Sequence, residues 1–148
     1  MRPVLGSARG AVLSFALAAA PSSAMAKEIH LDCRRPDRSV AVDVDTSRLF
    51  VQLMWGQGVA EEYQNGDSYL SGPSASGQTH RVIYAVSVEN DAVSFGQDYL
   101  CVAGGADGKC KERHIRNTLD TAAGVLRYDD DGIVTTLECR PAPPSRRF

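Results

Sequence analysis

The sequence predicts an all-β fold, a small antiparallel barrel or sandwich of about eight strands, held by disulfides. Three observations predict it. Thr79 to Asn90 (THRVIYAVSVEN) alternates cleanly, with His80, Val82, Tyr84, Val86 and Val88 on one face and Arg81, Ile83, Ala85, Ser87 and Glu89 on the other. A period of two over this length, rich in β-branched residues, is a half-buried strand. Turn residues recur at short intervals along the rest of the chain, and no stretch shows the periodicity of an amphipathic helix. Four cysteines, an even count, follow a leader of the kind that directs export.

That leader comprises residues 1–26. Arg2 and Arg9 form a basic start, Ala11 to Ala20 an apolar run, and Ala24-Met25-Ala26 the small residues of a cleavage site. The run is too short to span a bilayer. Cleavage after Ala26 is expected to leave a single β domain over 27–140 and an extended tail over 141–148. Removing Arg2 and Arg9 takes the 16 basic residues to 14 against 18 acidic ones, a net charge of −4. That balance argues against a nucleic-acid binder. The mature chain contains no further run of membrane length, so the expected location is periplasmic or secreted.

The strands follow in order. Ile29, Leu31 and Cys33 share the apolar face of the first. Pro36-Asp37 turns the chain into Val40, Val42 and Val44. Leu49 to Trp55 is nearly all apolar and reads as a strand covered on both faces. Asn65-Gly66 separates two short segments and is a strong hairpin signal, because both turn positions accept positive φ. Ala92 to Phe95 and Tyr99 to Val102 read as segments interrupted by Gly96. Arg113 to Asp120 alternates, Val125 to Tyr128 returns after Gly124, and Ile133 to Cys139 is the last strand.

Cys33, Cys101, Cys110 and Cys139 allow three pairings. Cys101–Cys110 with Cys33–Cys139 is favoured: the first closes a glycine-rich loop and the second joins the first strand to the last. Metal is not expected, because there is no CxxC and no histidine stands at ligand spacing from a cysteine in sequence. No cofactor is expected either. Nor is catalysis: GxSxG is absent, Gly104 to Gly108 lacks the P-loop ending, and Asp129 to Asp131 lacks the EF-hand pattern. Two regions remain as binding candidates. One is the loop of small residues before the long strand, with Ser74, Ser76 and Gly77, and His80 at the strand's entry. The other is a set of arginines, Arg34, Arg35 and Arg38 near Cys33 and Arg140, Arg146 and Arg147 near Cys139, which would converge if those cysteines pair. Such a patch suits an anionic envelope component.

The string Ser74-Ala75-Ser76-Gly77, with an early and a final cysteine in a small exported β protein, resembles the periplasmic inhibitors of c-type lysozyme. Cys33 followed by Val40, Val42 and Val44 is similar to their opening strands. The resemblance implies an eight-stranded barrel whose serine-glycine loop, here Ser76 and Gly77, enters the lysozyme cleft. Where those proteins carry a tyrosine three residues after the glycine, this chain has His80, and the order of their lysine-glycine pair is reversed at Gly108-Lys109. The expectation is a non-catalytic envelope protein that binds a partner, with lysozyme inhibition, or an envelope structural or anionic-lipid-associating role, as the specific alternatives.

Overall fold

A computed structural model describes residues 27–143; the expected leader and the end of the tail, with Arg146 and Arg147, lie outside the described residues. The chain is all-β. Ten strands, β1 (Glu28–Arg35), β2 (Arg38–Asp45), β3 (Phe50–Trp55), β4 (Ala60–Gln64), β5 (Ser68–Leu70), β6 (Thr79–Glu89), β7 (Ala92–Ala103), β8 (Arg113–Asp120), β9 (Val125–Asp130) and β10 (Ile133–Pro141), form one antiparallel sheet. The count is ten rather than about eight, because each of the short segments between turns, down to the three-residue β5, pairs as a strand of its own. The order β4-β3-β2-β1-β10-β9-β8-β7-β6-β5 places the first and last strands side by side at mid-sheet. The sheet curls into a half-barrel.

Alternation sets the concave face. Val40, Val42, Val44, Val51, Leu53, Val86, Val93, Phe95, Leu119, Leu126 and Leu137 are buried on it and form one continuous core. Each fully buried side chain of this kind contributes roughly 1.5–3 kcal/mol. Cys33 lies directly opposite Cys139 in the β1–β10 ladder, and the two are bonded, with Cα atoms 3.9 Å apart. Cys101 is bonded to Cys110. Both favoured pairings therefore hold.

Four expectations need correction. Leu49 to Trp55 is covered on one face only: Val51 and Leu53 are buried, whereas Met54 is exposed and Phe50 lies under the Arg48 guanidinium. Leu49 itself has φ of 49° and belongs to the preceding turn. Gly96 does not interrupt a strand. It lies inside the continuous β7, where a Cβ would fall 2.0 Å from the Ile115 carbonyl oxygen, so β8 passes too close for any side chain. Pro141 is the last residue of β10 rather than tail, and Ala142 N–H donates to the His30 carbonyl.

The fourth correction concerns Asn65-Gly66, which does not close a β4–β5 hairpin. Those strands are the two ends of the sheet. The turn instead carries the chain from one end of the sheet to the other and is hydrogen-bonded to β6. Asn65 Oδ1 accepts from Val86 N–H at 3.0 Å, Gly66 N–H donates to the Tyr84 carbonyl at 2.9 Å, and Tyr84 N–H donates to the Asp67 carbonyl at 2.8 Å. Gly66 has φ of 85°, as the turn signal requires. The side-chain amide of Asn65 supplies a rung that a backbone carbonyl would otherwise provide.

Candidate functional site

Strand direction gathers five connections at one end of the half-barrel: residues 36–37, 56–59, 71–78, 104–112 and 131–132. The predicted binding loop is one of them. Ser74 to Gly77 is exposed, but it is held firmly. Ser74 N–H donates to the Gln78 carbonyl, Gly77 N–H to the Ser74 carbonyl, and Gln78 N–H to Ser74 Oγ at 3.1 Å. Ser74 Oγ and Ser76 Oγ share a hydrogen bond of 2.8 Å. Gly77 occupies the left-handed region at φ 81°. The back of this turn rests on the 104–112 loop: Ala106 N–H donates to the Ser76 carbonyl at 3.2 Å, and a Cβ on Gly105 would meet that carbonyl oxygen at 2.2 Å. Lys111 N–H reaches Gln78 Oε1. The Cys101–Cys110 bond closes the bracing loop in turn.

His80 stands beside that bond. Its backbone is fixed by Ser71, whose Oγ accepts from His80 N–H and whose N–H donates to the His80 carbonyl. Its ring Nε2 lies 2.9 Å from the Lys111 carbonyl and 3.6 Å from Cys110 Sγ. The fold thus brings a histidine against two cysteines that the sequence separates by 21 and 30 residues. Ser76 and His80 are hydrogen-bonded to other partners and not to each other, so they do not form a nucleophile and base.

Sequence reasoning missed a second feature at the same end. Glu61 projects from β4 onto the concave face, and three ring groups converge on it. Trp55 Nε1–H donates to Oε1 at 2.8 Å and Tyr63 O–H to Oε2 at 2.8 Å. The Tyr128 hydroxyl lies 3.2 Å from Oε1 and 3.0 Å from Oε2. Trp55 and Tyr128 pack edge to face with centroids 5.0 Å apart, and Tyr63 meets Tyr84 and Phe95 in the same way. Burial, and after it the charge of Glu61, pushes the Tyr63 phenol far above its usual value of 10 and keeps it a donor. An open cleft of about 500 Å³ lies against Trp55, Glu61 and Tyr128, with Arg38, Ser39 and Gln57 on its rim. A second hollow of about 400 Å³ flanks Glu61 on the Tyr63 and Tyr84 side, where Arg113 is paired with Asp131 at 2.6 Å. An aromatic-walled cleft with a few fixed polar groups is a common form of binding site.

The arginines are less concentrated than expected. Arg34 is paired with Asp32 and Arg35 with Asp37, while Glu138 lies opposite Arg34 and Arg140 opposite Asp32. Acids and bases therefore interleave across β1 and β10. No helix among the described residues is long and apolar enough to cross a membrane.

Fold and site together define a class: an all-β half-barrel stapled by two disulfides, with a braced polar turn and an aromatic cleft at one end. Comparison with family models, curated proteins and solved structures finds no match.

Proposed function

We propose that this protein is a non-catalytic binding module exported to the bacterial envelope, which meets its partner through the end that carries Ser74 to Gly77. The observation that supports this reading is the combination of exposure and rigidity in that turn. An exposed polar loop ordinarily loses conformational freedom when it binds. Here its hydrogen bonds and its brace on Gly105 and Ala106 have already ordered it, so less affinity is lost on contact. The cleft at Trp55 and Tyr128, at the same end of the half-barrel, offers aromatic surface as well.

The resemblance of Ser74-Ala75-Ser76-Gly77 to the serine-glycine loop of lysozyme inhibitors names c-type lysozyme as the specific candidate, with Ser76 and Gly77 as the inserted residues. The test is cell-wall lysis by c-type lysozyme in the presence of the purified protein. Dose-dependent loss of lysis supports the reading, and undiminished lysis at large excess removes lysozyme as the partner. Association with anionic lipid has less support, because Arg34 and Arg35 already face acidic partners.

A further inference from the structure

We propose that reduction of the Cys101–Cys110 bond converts His80, Cys101 and Cys110 into a three-ligand site for a thiophilic d10 cation, Zn²⁺ or Cu⁺. The three ligand atoms lie within 4.8 Å of one another. With a Zn–S bond of about 2.3 Å and a Zn–N bond of about 2.05 Å, tetrahedral geometry needs an N···S separation of about 3.6 Å and an S···S separation of about 3.8 Å. One of the two N···S separations already has this value: His80 Nε2 stands 3.6 Å from Cys110 Sγ. Once their bond is gone, the sulfurs have to part, with Cys110 keeping its separation from His80 as it swings away from Cys101.

The surrounding structure allows that movement. Cys101 sits on β7 and is held by the ladder to His80. Cys110 lies outside the strands in a loop containing Gly104, Gly105 and Gly108, so it is the partner free to retreat. Both cysteines are half-buried, whereas Cys33 is fully buried, so a reductant reaches the first bond and spares the second. His80 is anchored through its backbone to Ser71, and its ring edge faces Tyr99 at 6.1 Å. Its Nε2 now meets the carbonyl of Lys111, the residue that follows Cys110. As that contact opens, the ring proton passes to Nδ1 and the Nε2 lone pair faces the cation.

The step balances. A dithiol supplies two electrons and two protons, leaves as its cyclic disulfide, and yields two cysteine thiols. Cation binding then releases those two protons, which makes the affinity pH-dependent. Soft thiolates with one imidazole select Zn²⁺ and Cu⁺ over hard cations such as Mg²⁺ or Ca²⁺.

The experiment titrates the purified protein, oxidised and after mild dithiol treatment and removal of the reductant, with Zn²⁺ alone against a chromophoric chelator. Cu⁺ is tested in parallel. One equivalent should bind the reduced protein and none the oxidised. His80→Ala should lower the affinity at least tenfold, and Co²⁺ used in place of Zn²⁺ should show a thiolate charge-transfer band in the reduced wild type. The Cys101→Ser, Cys110→Ser double variant, checked for folding by its Trp55 emission, should bind no ion. Equal binding by oxidised and reduced protein would overturn the proposal. So would an His80→Ala affinity equal to wild type, or a reduced protein that leaves all the metal on the chelator.

Discussion

Tyr128 lies 67 residues beyond Glu61, yet its hydroxyl sits between both oxygens of the Glu61 carboxylate, 3.2 Å from one and 3.0 Å from the other. This contact links β9 to β4 across the concave face, where the two strands are separated by four others in the sheet. Both residues stand in the wall of the cleft beside Trp55.

Glu61→Leu should therefore be costly. It removes the carboxylate that accepts from Trp55, Tyr63 and Tyr128 and leaves the partly buried Trp55 N–H without its acceptor, a loss of about 1–3 kcal/mol. Denaturant unfolding should show a loss of at least about 2 kcal/mol. Trp55 is the chain's single tryptophan, so its emission reports this site directly and should change in the folded variant. Glu61→Gln, which keeps an acceptor, should lose less.

The two disulfides should differ in weight. Cys33–Cys139 spans 106 residues and Cys101–Cys110 spans 9. Loop-closure entropy gives about 5 kcal/mol for the long span and about 3 for the short one. Replacing Cys33 and Cys139 by alanine should lower the unfolding midpoint more than replacing Cys101 and Cys110. Equal losses would show that the long-range bond adds little beyond the β1–β10 ladder.

Gly105→Val should loosen the binding turn without unfolding the sheet. Its side chain would start 2.2 Å from the Ser76 carbonyl oxygen, at the edge of the structure rather than in the core. Amide exchange at Gly77, Gln78 and Ala106 should speed up at least tenfold, while Val42 and Leu119 in the core keep their wild-type protection.

Stability should fall at both extremes of pH, for different reasons. Burial alone would raise Asp98, but hydrogen bonds from His114 at 2.7 Å and Arg116 at 2.6 Å outweigh it and hold the carboxyl below its usual 3.8. A depressed carboxylate stabilises the fold above its unfolded value, and that contribution is lost as pH falls through the lower folded value. Because His114 and Arg116 are largely exposed, the effect is about 1 kcal/mol or less, and Asp98→Asn should flatten the stability curve below pH ~4. Tyr63 works in the opposite direction. Its phenol is raised in the fold, so its contribution is intact below 10 and is lost as pH climbs beyond. Tyr63→Phe should soften the alkaline decline, as followed by unfolding above pH ~10.

Much of the scaffold was legible in the residues. Thr79 to Glu89 is one strand because its alternation is long enough to settle both type and facing. Cys33 and Cys139 could be paired because each lies on the apolar face of a terminal strand. Asn65-Gly66 was misread for a physical reason: the signal specifies a turn with positive φ, not which strands it joins, and β5 is only three residues long. Glu61 left a faint trace, since it shares parity with Tyr63 in β4. Its partners in β3 and β9 are set by pairing across the sheet, which local alternation does not encode. His80 beside Cys101 and Cys110 is hidden in the same way, since spacing along the chain says nothing about a ladder partner and a returning loop.

The most direct measurement of the binding account is a chemical-shift map of the isotope-labelled protein titrated with c-type lysozyme. The account predicts shifts at Ser74 to Gln78, at Gly105 and Ala106, and at the Trp55 indole. Unchanged signals there at saturating lysozyme, or shifts confined to the opposite end at Thr46 to Leu49, Asn90-Asp91 and Thr121 to Gly124, would contradict it.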